Sequence, residues 1–234
     1  MLRNSLLLAA VSGLTASAGA ATVSINIVGG AGASGTLATT DVAGVVPAAN
    51  WNNVIATAGV DNAATPLVDS TGAASGISVS WTNIGPYQIN TGNSTPNHTM
   101  FNGYLDNFEG LRTVSFTGLN AGLTYSFYLY SDGDNGTNSR RGFFTMGGTT
   151  TVITDASGNF DGTFVEVPTG TTGVGNYTVF TLSGSSSYDL TFRGTLEDDL
   201  PRAALNGIQI VQVPEASTLL LGLLGLVPVI RRRR

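Results

Sequence analysis

Short runs of β-branched and aromatic residues recur along residues 22–213, separated by clusters of Gly, Asn, Asp and Ser, and no run repeats at the 3.6-residue period of an amphipathic helix. They predict eleven strands: Thr22–Val28, Trp51–Ala56, Ile77–Thr82, Leu111–Thr117, Thr124–Ser131, Gly142–Met146, Thr149–Thr154, Gly162–Val167, Tyr177–Leu182, Tyr188–Arg193 and Ala204–Val213. Strands without intervening helices must bury one face against another sheet, so the expected class is all-β, an antiparallel β-sandwich of jelly-roll type. In Thr124–Tyr130 the alternation sends Tyr125, Phe127 and Leu129 to one side as core. Ser126, Tyr128 and Tyr130 then form an outer face with an aromatic shelf.

Turn residues support this reading. Gly147-Gly148 between two β-rich runs is the sharpest hairpin signal, because two-residue glycine loops match the twist of the flanking strands. A bulge is expected near Gly207, and the Asn-, Gly- and Pro-rich segment Thr82–Gly110 is expected to be an excursion loop.

Both ends depart from the strand pattern. Arg3, the apolar stretch Leu6–Leu14 and the small residues Ala18-Gly19-Ala20 have the order of a secretory signal peptide, placed at residues 1–21 with cleavage before Ala21 or Thr22. At the other end Val213-Pro214-Glu215-Ala216-Ser217 leads into the apolar run Thr218–Ile230 and then Arg231-Arg232-Arg233-Arg234. Thirteen residues are short of the ~20 of a comfortable membrane span, but terminal arginines snorkel and extend the reach. They also favour a cytoplasmic C-terminus for a single transmembrane helix.

Motif, helix and basic cluster together resemble the PEP-CTERM sorting signal of Gram-negative bacteria that make extracellular polysaccharide. The resemblance implies recognition of Val213, Pro214 and Glu215 by an exosortase-type membrane protease, with Arg231, Arg232, Arg233 and Arg234 as the cytoplasmic stop. Ala216 stands where the family has a second proline. The implied organisation is a signal peptide, an extracellular sandwich over 22–212 and a sorting segment over 213–234, with transient residence in the inner membrane before the cell surface or matrix. Val45–Asn53 and Leu205–Ile210 are similar to segments of secreted jelly-roll-like domains in such proteins.

Charge narrows the partners. Residues 22–213 hold five arginines, no lysine and fourteen acids, a formal charge of −9. Phosphate backbones are bound mainly by Lys and Arg, so nucleic acid is excluded as a partner class. The chain has no cysteine, which removes disulfides, thiolate metal sites and cysteine nucleophiles. Gly30–Gly35 matches G-x-G-x-x-G, but no helix follows and no acid sits about twenty residues on, so a loop is expected rather than a dinucleotide site. The N-x-[ST] sequons at Asn93, Asn97, Asn135 and Asn176 are read as chance in an Asn/Thr-rich chain.

Three candidate chemistries remain. His98 is the only histidine and is expected in a solvent-exposed loop, without a G-x-S-x-G elbow to pair with. Asp132, Asp134 and Asn135 put hard oxygens on one glycine loop, a candidate Ca²⁺ site to which Glu197-Asp198-Asp199 could add; the competing reading is a turn balanced by Arg140 or Arg141. Aromatic rings stack on sugars, and Trp51, Trp81, Tyr128 and Tyr130 are the leading ligand candidates, with Tyr87, Phe101 and Tyr104 in the same class; the competing reading is core. The function expected is a structural or carbohydrate-associated, non-enzymatic ectodomain, with extracellular polysaccharide as partner. The alternative is a polysaccharide-active enzyme, which needs two carboxylates lining an aromatic groove.

Overall fold

A computed structural model describes residues 21–29, 35–92, 94–134, 136–138, 140–155 and 157–214. The signal peptide before Ala21, the G-x-G-x-x-G stretch Gly30–Ser34, Asn135, Glu215, the apolar tail and Arg231–Arg234 lie outside the described residues. Among the described residues no helix is long and apolar enough to cross a membrane.

The described residues fold as fifteen strands and one short helix in the order β1 (Thr22–Val28), β2 (Asn52–Ile55), β3 (Asn62–Val68), β4 (Ala74–Trp81), β5 (Gly85–Gln88), α1 (Pro96–Phe101), β6 (Gly103–Asn107), β7 (Arg112–Thr117) and β8 (Thr124–Tyr130). It continues through β9 (Arg140–Met146), β10 (Thr149–Asp155), β11 (Thr172–Val174), β12 (Tyr177–Ser183), β13 (Ser187–Arg193), β14 (Ala203–Leu205) and β15 (Gly207–Val213). A five-stranded sheet, β12-β8-β15-β1-β2, faces a seven-stranded sheet, β11-β10-β9-β13-β7-β4-β3, and β14-β6-β5 form a third, small sheet. The all-β sandwich follows.

Alternation builds the interface between the two large sheets. Tyr125, Phe127 and Leu129 of β8 enter the main core with Val79 of β4, Phe116 of β7 and Phe192 of β13. Phe127 lies 5.5 Å from the Phe116 ring and 5.7 Å from Tyr188 across the interface. Each such fully buried apolar side chain contributes about 1.5–3 kcal/mol. The predicted hairpin forms, with Gly147 at φ 58° and Gly148 at φ 81°, the left-handed pair that a two-residue loop demands.

The outer face of the five-stranded sheet is not open. Leu37, Ala43, Trp51, Met100, Phe101, Tyr130 and Phe160 make a second apolar cluster over it. For this reason β1 is buried along its whole length instead of alternating. Gln209 fastens the layer: its amide donates to Val46 O (2.7 Å) and Ser24 Oγ (3.1 Å), while its Oε1 accepts from Tyr130 Oη (2.5 Å).

Three expectations need correction. The 82–110 segment carries β5, α1 and β6 rather than an unstructured excursion. Gly162–Val167 is not a strand and keeps only a bridge from Glu166 to Tyr177. There the Asn176 side chain takes the place of a neighbouring strand, accepting from Val165 N (2.9 Å) and donating to Thr163 O (2.8 Å). Finally, the Ala204–Val213 run is broken by a change of sheet: β14 pairs with β6, whereas β15 pairs with β8 and β1.

Candidate functional site

The sheet change at Asn206 organises one end of the molecule. Asn206 is fully buried; its Oδ1 accepts from Asp132 N (2.7 Å) and its Nδ2 donates to Phe101 O (2.8 Å). Its backbone N–H bonds Tyr130 O (2.9 Å) and its carbonyl accepts from Ile27 N (2.9 Å). The chain after β8 is thereby fixed where two clefts meet.

The larger cleft, about 310 Å³, is lined by Asp132, Asp155, Phe160, Asp161 and Asn176 among others. Asp132 Oδ2 accepts from Phe160 N (2.6 Å) and Asp155 Oδ2 accepts from Gly133 N (2.8 Å). The two carboxyls also hydrogen-bond each other. Burial pushes Asp132 up to about 6; burial and then the nearby Asp132 charge push Asp155 up to about 9. Two buried acids in contact cannot both ionise cheaply, so at neutral pH the pair holds a shared proton. This site is satisfied from within.

The smaller cleft, about 220 Å³, is lined by Tyr87, Tyr104, Asp106, Asp134, Arg140 and Arg202, with Leu200. Arg140 opens β9 opposite Asp155 of β10 and is only 3 % exposed. Its Nη2 donates to Asp134 O (2.8 Å), but Nε and Nη1 have no partner. Glycine at 133 lets the guanidinium lie there, since a Cβ at that position would stand 2.0 Å from Nη1. Asp106 on β6 pairs through Oδ2 with Arg202 Nη1, while its Oδ1 is buried without a partner. Burial raises the Asp106 carboxyl and Arg202 pulls it back. Tyr104 is buried, its hydroxyl accepting from Asp134 N (3.1 Å), and burial pushes its phenol up to about 12. Tyr87 is 48 % exposed, its ring centroid 5.8 Å from that of Tyr104 at 51°.

Most of the residues singled out from sequence lie elsewhere. Trp51, Trp81 and Tyr130 are 4 %, 3 % and 0 % exposed, so their faces are taken by packing and cannot stack on a ligand. Trp51 Nε1 donates to Ala48 O (2.9 Å), and Tyr130 Oη accepts from Val45 N (2.8 Å). Tyr128 is half-buried against the second cluster. Asp132 is buried and Asp134 exposed, and among the described residues no three His, Cys, Asp or Glu side chains are grouped to hold a metal ion. The Glu197-Asp198 pair goes to Arg141 instead, whose Nε donates to Asp198 Oδ1 (2.6 Å) and whose Nη2 lies 3.3 Å from Glu197. His98 is half-buried on α1 rather than in an exposed loop, its Nδ1 2.8 Å from the hydroxyl of Thr95, the helix N-cap. Of the aromatic candidates, Tyr87 and Tyr104 line a cleft; Arg140, expected only to balance the Asp132–Asp134 turn, bonds Asp134 O there, and Arg202 and Asp106 were not foreseen as partners of that cleft.

No family model and no curated protein matches this chain. Among solved structures, the chain is similar to the CBM36-1 domain of a multidomain xylanase from the hindgut metagenome of Trinervitermes trinervoides, at 16 % identity and a TM-score of 0.32, covering 58 % of this chain and 91 % of that one. It is also similar to the ANX2 ectodomain from Arabidopsis thaliana, at 13 % identity and a TM-score of 0.39, covering 83 % of this chain and 42 % of that one.

Proposed function

We propose that the protein is an exported β-sandwich of jelly-roll type that binds carbohydrate at the cell envelope or in the extracellular matrix. It reaches that place through the PEP-CTERM-like tail and processing by an exosortase-type enzyme. The observation that carries the binding reading is the smaller cleft, where the half-exposed ring of Tyr87 stands beside Asp106, Arg140 and Arg202. A flat apolar ring next to convergent hydrogen-bonding groups is the arrangement that holds a sugar ring by its C–H face and its hydroxyls. The smaller cleft also carries two carboxylates, Asp106 and Asp134, beside its aromatic rings, but Asp106 is held by Arg202, and the other cleft supplies no hydrolytic pair either. Glycoside hydrolysis needs carboxyls about 5 to 9 Å apart, with room for water or for attack, whereas Asp132 and Asp155 are in contact and each also accepts a backbone N–H.

A glycan array probed with the full chain, with and without EDTA, tests the binding reading. Polysaccharide binding that survives EDTA is expected, because the Asp132 carboxyl is already engaged by Phe160 N and Asp155. Absence of binding to every glycan defeats it. Sorting is tested separately by replacing Pro214 and Glu215 with alanine. An unprocessed form held in the inner membrane is expected, and unchanged size and location would contradict the sorting proposal.

A further inference from the structure

The smaller cleft leaves unpaired groups of both kinds: the acceptor Asp106 Oδ1 and the donors Arg140 Nε and Nη1. They belong to side chains that line one cavity of about 220 Å³ and are more than nine-tenths buried; the atoms themselves are closed off, so a ligand in the cavity meets them only when the side chains turn toward it. Unpaired buried polar groups in a native protein call for a partner. An anion would satisfy Arg140 but set a second negative charge against the Asp106 acceptor, and a cation would do the reverse. Arg202 does not break the tie, because Asp106 Oδ2 holds it on one side and the Phe108 ring lies 4.8 Å from its guanidinium carbon. A hydroxyl both donates and accepts, and two adjacent hydroxyls can donate to a carboxylate while accepting from a guanidinium.

Resting on the carbohydrate-binding reading, we infer that this cavity takes the vicinal diol of a neutral sugar. With both side chains turned into the cavity, one hydroxyl donates to Asp106 Oδ1, the diol oxygens accept from Arg140, and the pyranose ring lies against Tyr87. The charge of −9 over residues 22–213 acts in the same direction, repelling acidic polysaccharide. Gly133 leaves space for the Arg140 guanidinium, which a Cβ there would displace.

The test is calorimetry on the full chain in a detergent without a sugar headgroup, using mannohexaose and cellohexaose as neutral probes, with hexagalacturonate and inorganic phosphate as anionic ones. A neutral hexasaccharide should bind, and the anionic probes should bind at least about tenfold more weakly. Asp106→Asn and Arg140→Met should each weaken neutral binding by about tenfold or more, the loss expected for a hydrogen bond to a charged group. Tyr87→Ala, at an exposed ring that leaves the core untouched, should weaken it several-fold and guards against a folding defect in the Arg140 variant. Tighter binding of galacturonate or phosphate overturns the inference while leaving carbohydrate association standing. Neutral binding unchanged in Asp106→Asn and Tyr87→Ala does the same by moving the site elsewhere. Failure of every probe, together with a blank glycan array, overturns both.

Discussion

Two clefts share the neighbourhood of Arg140 and solve opposite problems. In the larger, every buried carboxyl is answered from inside the protein: Asp132 by Phe160 N, Asp155 by Gly133 N, and each by the other. In the smaller, the Asp106 and Arg140 side chains are also largely buried yet keep atoms without partners. Internal satisfaction fixes a loop, whereas incomplete satisfaction in a cavity leaves hydrogen-bonding capacity for a ligand. Depth of burial alone does not separate structure from site. The pairing does.

Asp132→Ala should break the contrast most severely, because it strips the acceptor from Phe160 N and from its partner acid. A loss of about 3 kcal/mol in urea unfolding is expected, as for other buried groups left unsatisfied. Gly133→Ala comes next. Gly133 does not have a left-handed backbone, so the substitution acts through the collision with Arg140 Nη1 and should cost about 2 kcal/mol while also weakening sugar binding.

Asp155→Asn sharpens the comparison through pH. Both acids sit above the ordinary value of 3.8 in the folded protein, so the folded state retains protons that the unfolded chain releases. Stability from the pair is therefore full below about pH 4 and is lost as pH rises towards about 9. An asparagine accepts from Gly133 N and donates to Asp132, mimicking the protonated acid. The variant should show a flatter fall in Tm between pH 5 and pH 9 and be more stable than the parent at pH 8 by about 1 kcal/mol. Tyr87→Ala should do least to stability, within about 0.5 kcal/mol by thermal unfolding, because the ring is half exposed.

The sandwich could be read from residues whose pattern is local. Tyr125, Phe127 and Leu129 alternate into the core, and Gly147-Gly148 makes the expected turn. Elements with weak local signals were not legible. β3 carries Pro66, tolerated because β3 is the edge of its sheet, and β5 and β6 are four and five residues long. The aromatic candidates Trp51 and Tyr130 misled for a different reason. Their direction away from the main core can be read from alternation, but the layer formed by residues 35–51, Phe101 and Phe160 that buries them comes from distant parts of the chain. The small cleft is likewise a product of topology: Asp106 and Arg202 are 96 positions apart, and no spacing rule joins them. Tyr87 and Tyr104 were visible as aromatics in a polar segment, without the charged groups that give them a role.

A crystal structure of the protein grown with whichever neutral hexasaccharide binds more tightly decides between the two clefts. Such a crystal should show a sugar ring against Tyr87, with adjacent hydroxyls between Asp106 Oδ1 and Arg140, and the Asp132–Asp155 pair still closed on itself. A sugar seated in the Asp132–Asp155 cleft, with Arg140 and Asp106 untouched, would contradict that placement.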